Sequence, residues 1–201
     1  MTARRDRGVS VLCGTLCAAA MSAGISAPLA ADPIATIESG AGVALPGDYA
    51  VLDIRDEDTC FLGAPPNTRC LPAEQLLYAD AGTPLGFHAL RWALGTLGLT
   101  GAETLVIYRG DDAVDDGGRE DALAAAALLY LAGQAEVLVH EGPALEIRDG
   151  AQVRALWREV IYTAPMRTGE MNVTAAPAGS LRDRLRDFAT GGGAVAFAPA
   201  S

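Results

Sequence analysis

The chain has 201 residues, of which 25 are acidic and 15 are basic, and its formal net charge at pH 7 is −10. Every basic residue is an arginine, which excludes enzyme classes that need a lysine to form a Schiff base or to bind nucleotides through a P-loop. An acidic surface without a basic patch also argues against nucleic acid or anionic lipid as a partner.

The first residues, 1–31, have the pattern of a secretory signal peptide. Met1–Arg7 carries three arginines, and Val9–Ala30 is an uncharged run of apolar and small residues. Such a signal is removed by cleavage, which we expect near Ala30 or Ala31. The alternative is an uncleaved membrane anchor, because the run approaches spanning length. We therefore expect a periplasmic or secreted protein that has no membrane contact after signal cleavage.

Two cysteines, Cys60 and Cys70, follow that segment, in a loop rich in proline and glycine. In an exported protein, this pair predicts a disulfide. The alternative is a redox-active or sulfur-carrying thiol, although so wide a spacing lacks the built-in pKa depression of a Cys-x-x-Cys motif.

The segment 104–133 predicts a strand, a loop and a helix in succession. Thr104–Tyr108 has the apolar character of a buried strand, and Arg119–Ala132 is rich in the helix formers Ala and Leu. In open parallel sheets, ligands bind at the loop between such elements, because free N–H groups of the helix point into the crevice. The candidate ligand-binding residues are Arg109, Gly110, Asp111, Asp112, Asp115, Asp116, Gly117, Gly118 and Arg119.

This loop contains no Cys, Ser, Thr, His or Lys, so it offers no conventional nucleophile. We predict no catalytic residue, no cofactor and no bound metal. One alternative is a divalent-cation site on the acidic run 111–121, although the run lacks the alternating order of a calcium loop. The other alternative is a solvated acidic loop without a ligand.

Two further apolar runs, Asp48–Ile54 and Ala135–His140, predict strands, and the lead-in Pro33–Leu45 is expected to add a short edge element. Asp53 and Arg55 form a charged pair at the end of the first of these strands. The remaining histidines, His88 on a helix and His140 beside Glu141, are interpreted as a surface or core residue and a turn residue. The alternative for His140 and Glu141 is an acid/base pair.

Four more helices are predicted, over Pro72–Leu77, Thr83–Leu97, Gly150–Val160 and a last one capped by Ser180. We expect residues 56–69 to form a loop, Ile161–Val173 to form two short strands at the sheet edge, and residues 191–201 to form a flexible tail. The second helix has an apolar stripe of Leu85, Ala89, Trp92, Ala93 and Leu97. The last helix should bury Leu181, Leu185 and Phe188 and turn Arg182, Asp183, Arg186 and Asp187 to solvent.

Strands and helices alternate along the chain, and the strands are apolar throughout. This pattern predicts an α/β fold in three layers, with a mostly parallel sheet flanked by helices. We expect a single domain over residues 32–190, with its core at about 40–148 and a C-terminal extension at 149–190.

Five segments between about residues 40 and 148 resemble motifs of rhodanese-like domains, and they follow one another in the same order as in that family. Tyr49–Arg55 is similar to the "vlDvR" strand end of that family, and Leu105–Tyr108 is similar to the strand before its active loop. The other matching segments are Pro65–Pro72, Leu123–Gly133 and Glu136–Gly142. The resemblance implies a rhodanese-like α/β domain.

Active rhodaneses carry sulfur as a persulfide on a cysteine that follows this strand, and here that position is Arg109. Phosphatases of the same fold also need that cysteine. The resemblance therefore implies an exported, catalytically inactive binding or accessory module, with an unknown protein partner in the cell envelope. The alternative is a periplasmic sulfurtransferase or sulfur carrier that uses Cys70 or Cys60.

Overall fold

Five short strands pair side by side to form a parallel sheet. The computed structural model describes residues 34–38, 49–77, 86–110, 116–143, 145–147 and 160–198. The strands are β1 (Ala35–Glu38), β2 (Tyr49–Asp53), β3 (Thr68–Cys70), β4 (Thr104–Tyr108) and β5 (Glu136–Glu141). They lie in the order β1-β5-β4-β2-β3, and all neighbouring pairs are parallel. The central strands β2 and β4 are buried along almost their whole length, as expected for a sheet covered on both faces.

Helices flank this sheet, and a second, smaller sheet lies in the C-terminal part of the chain. The helices are α1 (Glu57–Leu62), α2 (Ala73–Leu77), α3 (Phe87–Thr96), α4 (Asp116–Ala132) and α5 (Leu181–Gly191). A 3₁₀ helix (Thr168–Glu170) leads into β6 (Met171–Val173), which pairs in parallel with β7 (Val195–Phe197).

The central helix of the fold is α4. Residues 122–129 of this helix are all buried, and α2, α3, α5, β4 and β5 all contact it. A helix buried on every side needs apolar residues around its whole circumference, and small alanines let its neighbours approach closely. Gly133, with φ of 114°, then ends the helix in a backbone conformation that favours glycine.

The predicted fold class is confirmed: the chain has an α/β fold in three layers, with a parallel main sheet flanked by helices. Strands β2, β4 and β5 lie within two residues of their predicted bounds. The edge strand β1 lies inside the predicted lead-in. Ser180 caps α5 as expected, because its side chain accepts a hydrogen bond from the backbone N–H of Asp183.

The predicted loop over residues 56–69 is wrong, because it contains α1 and β3. Asp56 caps α1 by accepting a hydrogen bond from the backbone N–H of Thr59 at 2.8 Å. Both elements are too short to show a periodic apolar pattern, which is why composition alone suggested a loop.

The predicted apolar stripe of α3 is wrong for Ala89 and Trp92, whereas Leu97 packs against the core as predicted. The buried side chains are Leu90 and Leu94, whereas Ala89 is exposed and Trp92 is 69% exposed. Two leucines four residues apart face the core together with the half-buried Phe87. Burial of these larger side chains removes more apolar surface from water than burial of the alanines on the neighbouring stripe would.

The C-terminal part differs from its prediction in two places. Between residues 161 and 173 only β6 is a strand, and it pairs with β7 rather than with the main sheet. The expected flexible tail over residues 191–201 contains β7, whose Val195 is 1% exposed. A buried valine anchors this strand although three glycines, 191–193, precede it in sequence.

Several predictions concern residues that the structure does not describe. The signal peptide at 1–31, the residues 111–115 and almost all of the expected helix at 150–160 lie outside the described ranges. Within those ranges, no helix combines the length and apolar character needed to cross a bilayer.

Candidate functional site

The order of the strands places a crevice between the carboxyl ends of β2 and β4. From β2 the chain passes to β3 on one side and then returns to β4 on the other side. Ligands of open parallel sheets bind where the connections diverge in this way. Asp53 lies in register with Tyr108, and the backbone N–H of Ile54 donates to the Tyr108 carbonyl at 2.9 Å. The switch-point crevice therefore consists of Asp53, Arg55, Tyr108, Arg109 and Gly110.

The predicted pair Asp53 and Arg55 forms a buried ion pair in this crevice. The carboxylate of Asp53 accepts from the backbone N–H of Arg55 at 3.0 Å and from its Nε and Nη2 at 3.0 and 2.6 Å. The side chains are 0% and 16% exposed. Burial alone lowers the pKa of Arg55, but the hydrogen bond and the charge of Asp53 outweigh it and raise that pKa. Asp53 thus serves as the counter-ion of Arg55.

The side chain of Arg55 fills the crevice. Its guanidinium lies 5.2 Å from the centre of the Tyr108 ring, and its Nη2 donates to the Gly63 carbonyl at 2.7 Å. Gly110 has φ of 92°, and a Cβ atom at this position would lie 3.0 Å from Cδ of Arg55. The first turn of the loop after β4 therefore requires glycine for both its backbone angle and its contact with Arg55.

The end of β5 adds a histidine and a second ion pair. His140 is 1% exposed, and its ring centre lies 5.5 Å from that of Tyr108. The interpretation of His140 as a turn residue is wrong, because it is a buried residue inside β5. Glu141 pairs with Arg119 of α4, with Nε and Oε1 2.8 Å apart. This contact draws one of the predicted ligand residues, Arg119, to the end of the neighbouring strand.

The structure joins Cys60 and Cys70 in the predicted disulfide. Cys60 belongs to α1, and Cys70 ends β3, where it lies in register with Asp53 of β2. The bond is therefore next to the buried ion pair, and neither cysteine is a free thiol in this state.

The acidic run is partly helical and partly neutralised. Asp116, Gly117 and Gly118 form the first turn of α4, so their assignment to the loop is wrong. Negative charge in a first turn favours helix formation, because it faces the positive end of the helix dipole. Asp111, Asp112 and Asp115 lie outside the described residues.

The last two carboxylates of the run bind arginines of α5. Arg182 contacts Asp121 through Nε, Glu120 through Nη1 at 2.7 Å, and the Gly117 carbonyl through Nη2 at 2.9 Å. Arg186 also pairs with Glu120, at 3.1 Å. The expectation that these arginines face solvent is wrong, because α5 packs against α4. Among the described residues, no group of three or more His, Cys, Asp or Glu side chains lies close enough to hold a metal ion.

Two cavities in the described part of the chain lie away from the crevice. One, of about 560 Å³, is next to residues 100–102 and 133–135, which precede β4 and β5. The other, of about 350 Å³, lies between α3 and residues 160–162. The larger one is at the amino ends of the strands, whereas the charged and aromatic side chains gather at the carboxyl ends. We therefore place the candidate site at the switch-point crevice, because the charged and aromatic side chains lie there.

No family model and no curated protein matches this chain. Among solved structures, wild-type EanB is 18% identical to it, with a TM-score of 0.52 over 67% of this chain and 36% of EanB. An EanB variant in complex with ergothioneine gives a TM-score of 0.51. A cysteine-persulfide form of another variant, with ergothioneine in a tetrahedral intermediate state, gives 0.50. The chain thus corresponds to about a third of EanB, and at this identity the likeness concerns the fold alone.

Proposed function

We propose that the chain is an exported, catalytically silent rhodanese-like domain that acts as a binding or accessory module for a protein partner in the cell envelope. One observation carries the proposal. Arg109 stands directly after β4, where the family resemblance places the sulfur-carrying cysteine, and the two cysteines that follow the N-terminal segment are bonded to each other.

The chemistry of persulfides supports this proposal. A persulfide forms only on a cysteine thiolate, and the EanB variant described above carries its persulfide on a cysteine. Here the crevice keeps the Asp53 and Arg55 pair that resembles the family's strand end, whereas Arg109 takes the place of the cysteine. A protein with this arrangement retains the fold and loses the covalent step.

The charge of the loop gives a second reason. Four aspartates, Asp111, Asp112, Asp115 and Asp116, follow Arg109 within seven residues. They disfavour the binding of thiosulfate, and they would raise the pKa of any thiol placed among them. A cysteine restored at position 109 would then be mostly protonated at neutral pH.

A thiosulfate–cyanide sulfurtransferase assay tests the proposal. We expect no turnover by the wild type or by Arg109→Cys. Arg109→Cys combined with replacement of the four aspartates by serine should gain turnover, because the thiol pKa falls once the negative charges are removed. The matched control is Arg109→Ala with the same four replacements, which has no thiol and should be inactive. Turnover by the wild type would contradict the proposal, and turnover by Arg109→Cys alone would contradict the argument from the charge of the loop.

A further inference from the structure

Helix α1 is attached to the fold by very little buried surface. Its only buried side chain is Cys60, whereas Phe61 is 36% and Leu62 is 79% exposed. A helix of six residues has no stability of its own in water, because the cost of nucleation exceeds what so few hydrogen bonds return. The position of α1 therefore depends on Cys60 and on the segment that follows the helix, where Gly63 and Ala64 are buried.

That bond fastens α1 to the strand beside the crevice. Cys70 lies in register with Asp53, and the next residue, Leu71, donates its backbone N–H to the Asp53 carbonyl at 3.0 Å. At the other end of α1, the Gly63 carbonyl accepts the hydrogen bond from Arg55. The disulfide, α1 and the guanidinium of Arg55 thus form one connected unit.

The two cysteine residues differ in their exposure. Cys60 is 0% exposed, whereas Cys70 is half-buried at the end of the edge strand β3. Exchange requires that a thiolate reach one sulfur of the bond in line. The structure therefore favours attack at Cys70.

We propose that the Cys60–Cys70 bond is a site of thiol–disulfide exchange with a dithiol protein of the thioredoxin class, and that its reduction releases α1 from β3. The partner's thiolate attacks Sγ of Cys70, a mixed disulfide forms, and Sγ of Cys60 leaves with the electron pair and takes up a proton. The partner's second thiol loses its proton and attacks its own sulfur in the mixed disulfide. Cys70 then leaves as a thiolate and is protonated. Two electrons and two protons pass to this chain, and the partner's dithiol is oxidised to a disulfide.

Release of α1 changes the crevice. Gly63 directly follows the helix, and its backbone N–H donates to the Thr59 carbonyl of α1. Loosening of α1 therefore weakens the hydrogen bond from Nη2 of Arg55 to the Gly63 carbonyl, while the bond from Nη2 to Asp53 remains. The bond is thus a latch on the switch-point crevice. This proposal does not depend on whether the domain is catalytically silent.

Hydrogen–deuterium exchange on the full chain, before and after reduction by thioredoxin, tests the latch. The amides of residues 59–63 should exchange about ten-fold faster or more after reduction, while those of α4 keep their protection, because local opening and global unfolding are separate events. Cys60→Ser/Cys70→Ser should show the fast rate before reduction and no change after it. Unchanged exchange at residues 59–63, once thiol titration shows full reduction, would overturn the latch. Loss of protection in α4 would also overturn it, since the bond would then hold the whole fold.

The entry point is tested with a thioredoxin variant that lacks its second cysteine, so that the mixed disulfide accumulates. Peptide mapping should find the adduct on Cys70. An adduct on Cys60, or none under conditions that reduce a peptide disulfide, would refute exchange at this site.

Discussion

Asp53 and Arg55 are two residues apart in sequence, and each would be costly to bury alone. Together they satisfy each other through parallel hydrogen bonds at 3.0 and 2.6 Å, a geometry that arginine and carboxylate groups favour. The pair stabilises the fold only when both partners are present, because removal of one partner leaves the other buried without a counter-charge.

Asp53→Asn should lower the free energy of unfolding by about 3 kcal/mol, because the amide keeps the shape of the carboxylate but not its charge, and the mostly buried Arg55 is left uncompensated. Asp58→Asn is the matched control. Asp58 is an exposed residue of α1, and its substitution should change stability by less than about 0.5 kcal/mol. Urea denaturation of the three proteins measures the difference, and equal midpoints for Asp53→Asn and the wild type would contradict the structural role of the pair.

Glu103 gives the stability a pH dependence. Burial raises the pKa of this carboxyl, but hydrogen bonds from Oγ1 and the backbone N–H of Thr100 and from Gly101 outweigh it, and the pKa is lowered. A lowered pKa stabilises the folded state above the unfolded pKa of about 4.3, and this contribution is lost as the pH falls through the folded value.

Glu103→Gln should therefore be less stable than the wild type at pH 7, and the gap in the free energy of unfolding should be smaller at an acidic pH, because protonation of the wild-type carboxyl removes the contribution of its charge. Chemical denaturation at the two pH values measures the gap. A gap of the same size at both would show that the charge of Glu103 contributes nothing.

At the scale of elements, residues 160–167 form a strap across the amino ends of the sheet. Tyr162 of the strap donates from its hydroxyl to Oε1 of Gln134 at 3.2 Å, and the backbone N–H of Arg167 donates to the Leu131 carbonyl at 2.9 Å. Glycines lie where the strap comes closest: a Cβ atom added at Gly95 or Gly133 would overlap a strap carbonyl.

Gly95→Ala tests this contact without a backbone penalty, because Gly95 lies inside α3 and an alanine there would otherwise favour the helix by about 1 kcal/mol. Overlap with the Val160 carbonyl should reverse the sign and destabilise the protein by about 1–3 kcal/mol. Gly191→Ala, at the end of α5 with open space around it, is the matched control and should be neutral or stabilising. Thermal unfolding of both variants measures the effect on stability. A Gly95→Ala variant more stable than the wild type would show that the strap can move away from the added methyl group.

The strands and helices that were predicted correctly from the sequence are those in which most consecutive residues are buried, so that the sequence shows an unbroken apolar run. Strands β2 and β4 are apolar runs, and α4 is a long run of helix formers, so local pattern and tertiary environment agree. Helix α1 buries one residue, and β7 has one residue almost fully buried. Neither element therefore has an apolar pattern from which it could be predicted. The N-cap residue Asp56, three residues before Thr59, was the one available signal for α1.

The candidate site was predictable only in part for the same reason. The pair of Asp53 and Arg55 and the contact of Gly110 with Arg55 lie at the carboxyl ends of β2 and β4, because strand ends of a parallel sheet converge at one edge. The contact between Arg182 and Asp121 spans 61 positions, and nothing in the charges of either helix specifies that pairing. An acidic run that suggested a ligand loop is thus, in its described half, the surface on which α5 packs.

At the scale of the whole molecule, the C-terminal extension is part of one core. Leu185, Phe188 and Val195 belong to the same buried cluster as Leu128 of α4 and Leu52 of β2. Arg182 and Arg186 add ion pairs between α5 and α4 that are only partly exposed. The extension therefore stabilises the helix that follows the loop of the candidate site.

The central claim is that no side chain of this protein takes up sulfur from a donor as a persulfide. Intact-mass spectrometry of the purified wild type before and after incubation with thiosulfate or mercaptopyruvate tests it most directly, with the disulfide intact and after its reduction. Within each of these two states we expect incubation to leave the mass unchanged, because Arg109 stands in place of the family's thiolate and the wide spacing of Cys60 and Cys70 gives neither thiol a built-in pKa depression. A gain of one sulfur atom, mapped to Cys60 or Cys70, would contradict the account and identify the domain as a sulfur carrier.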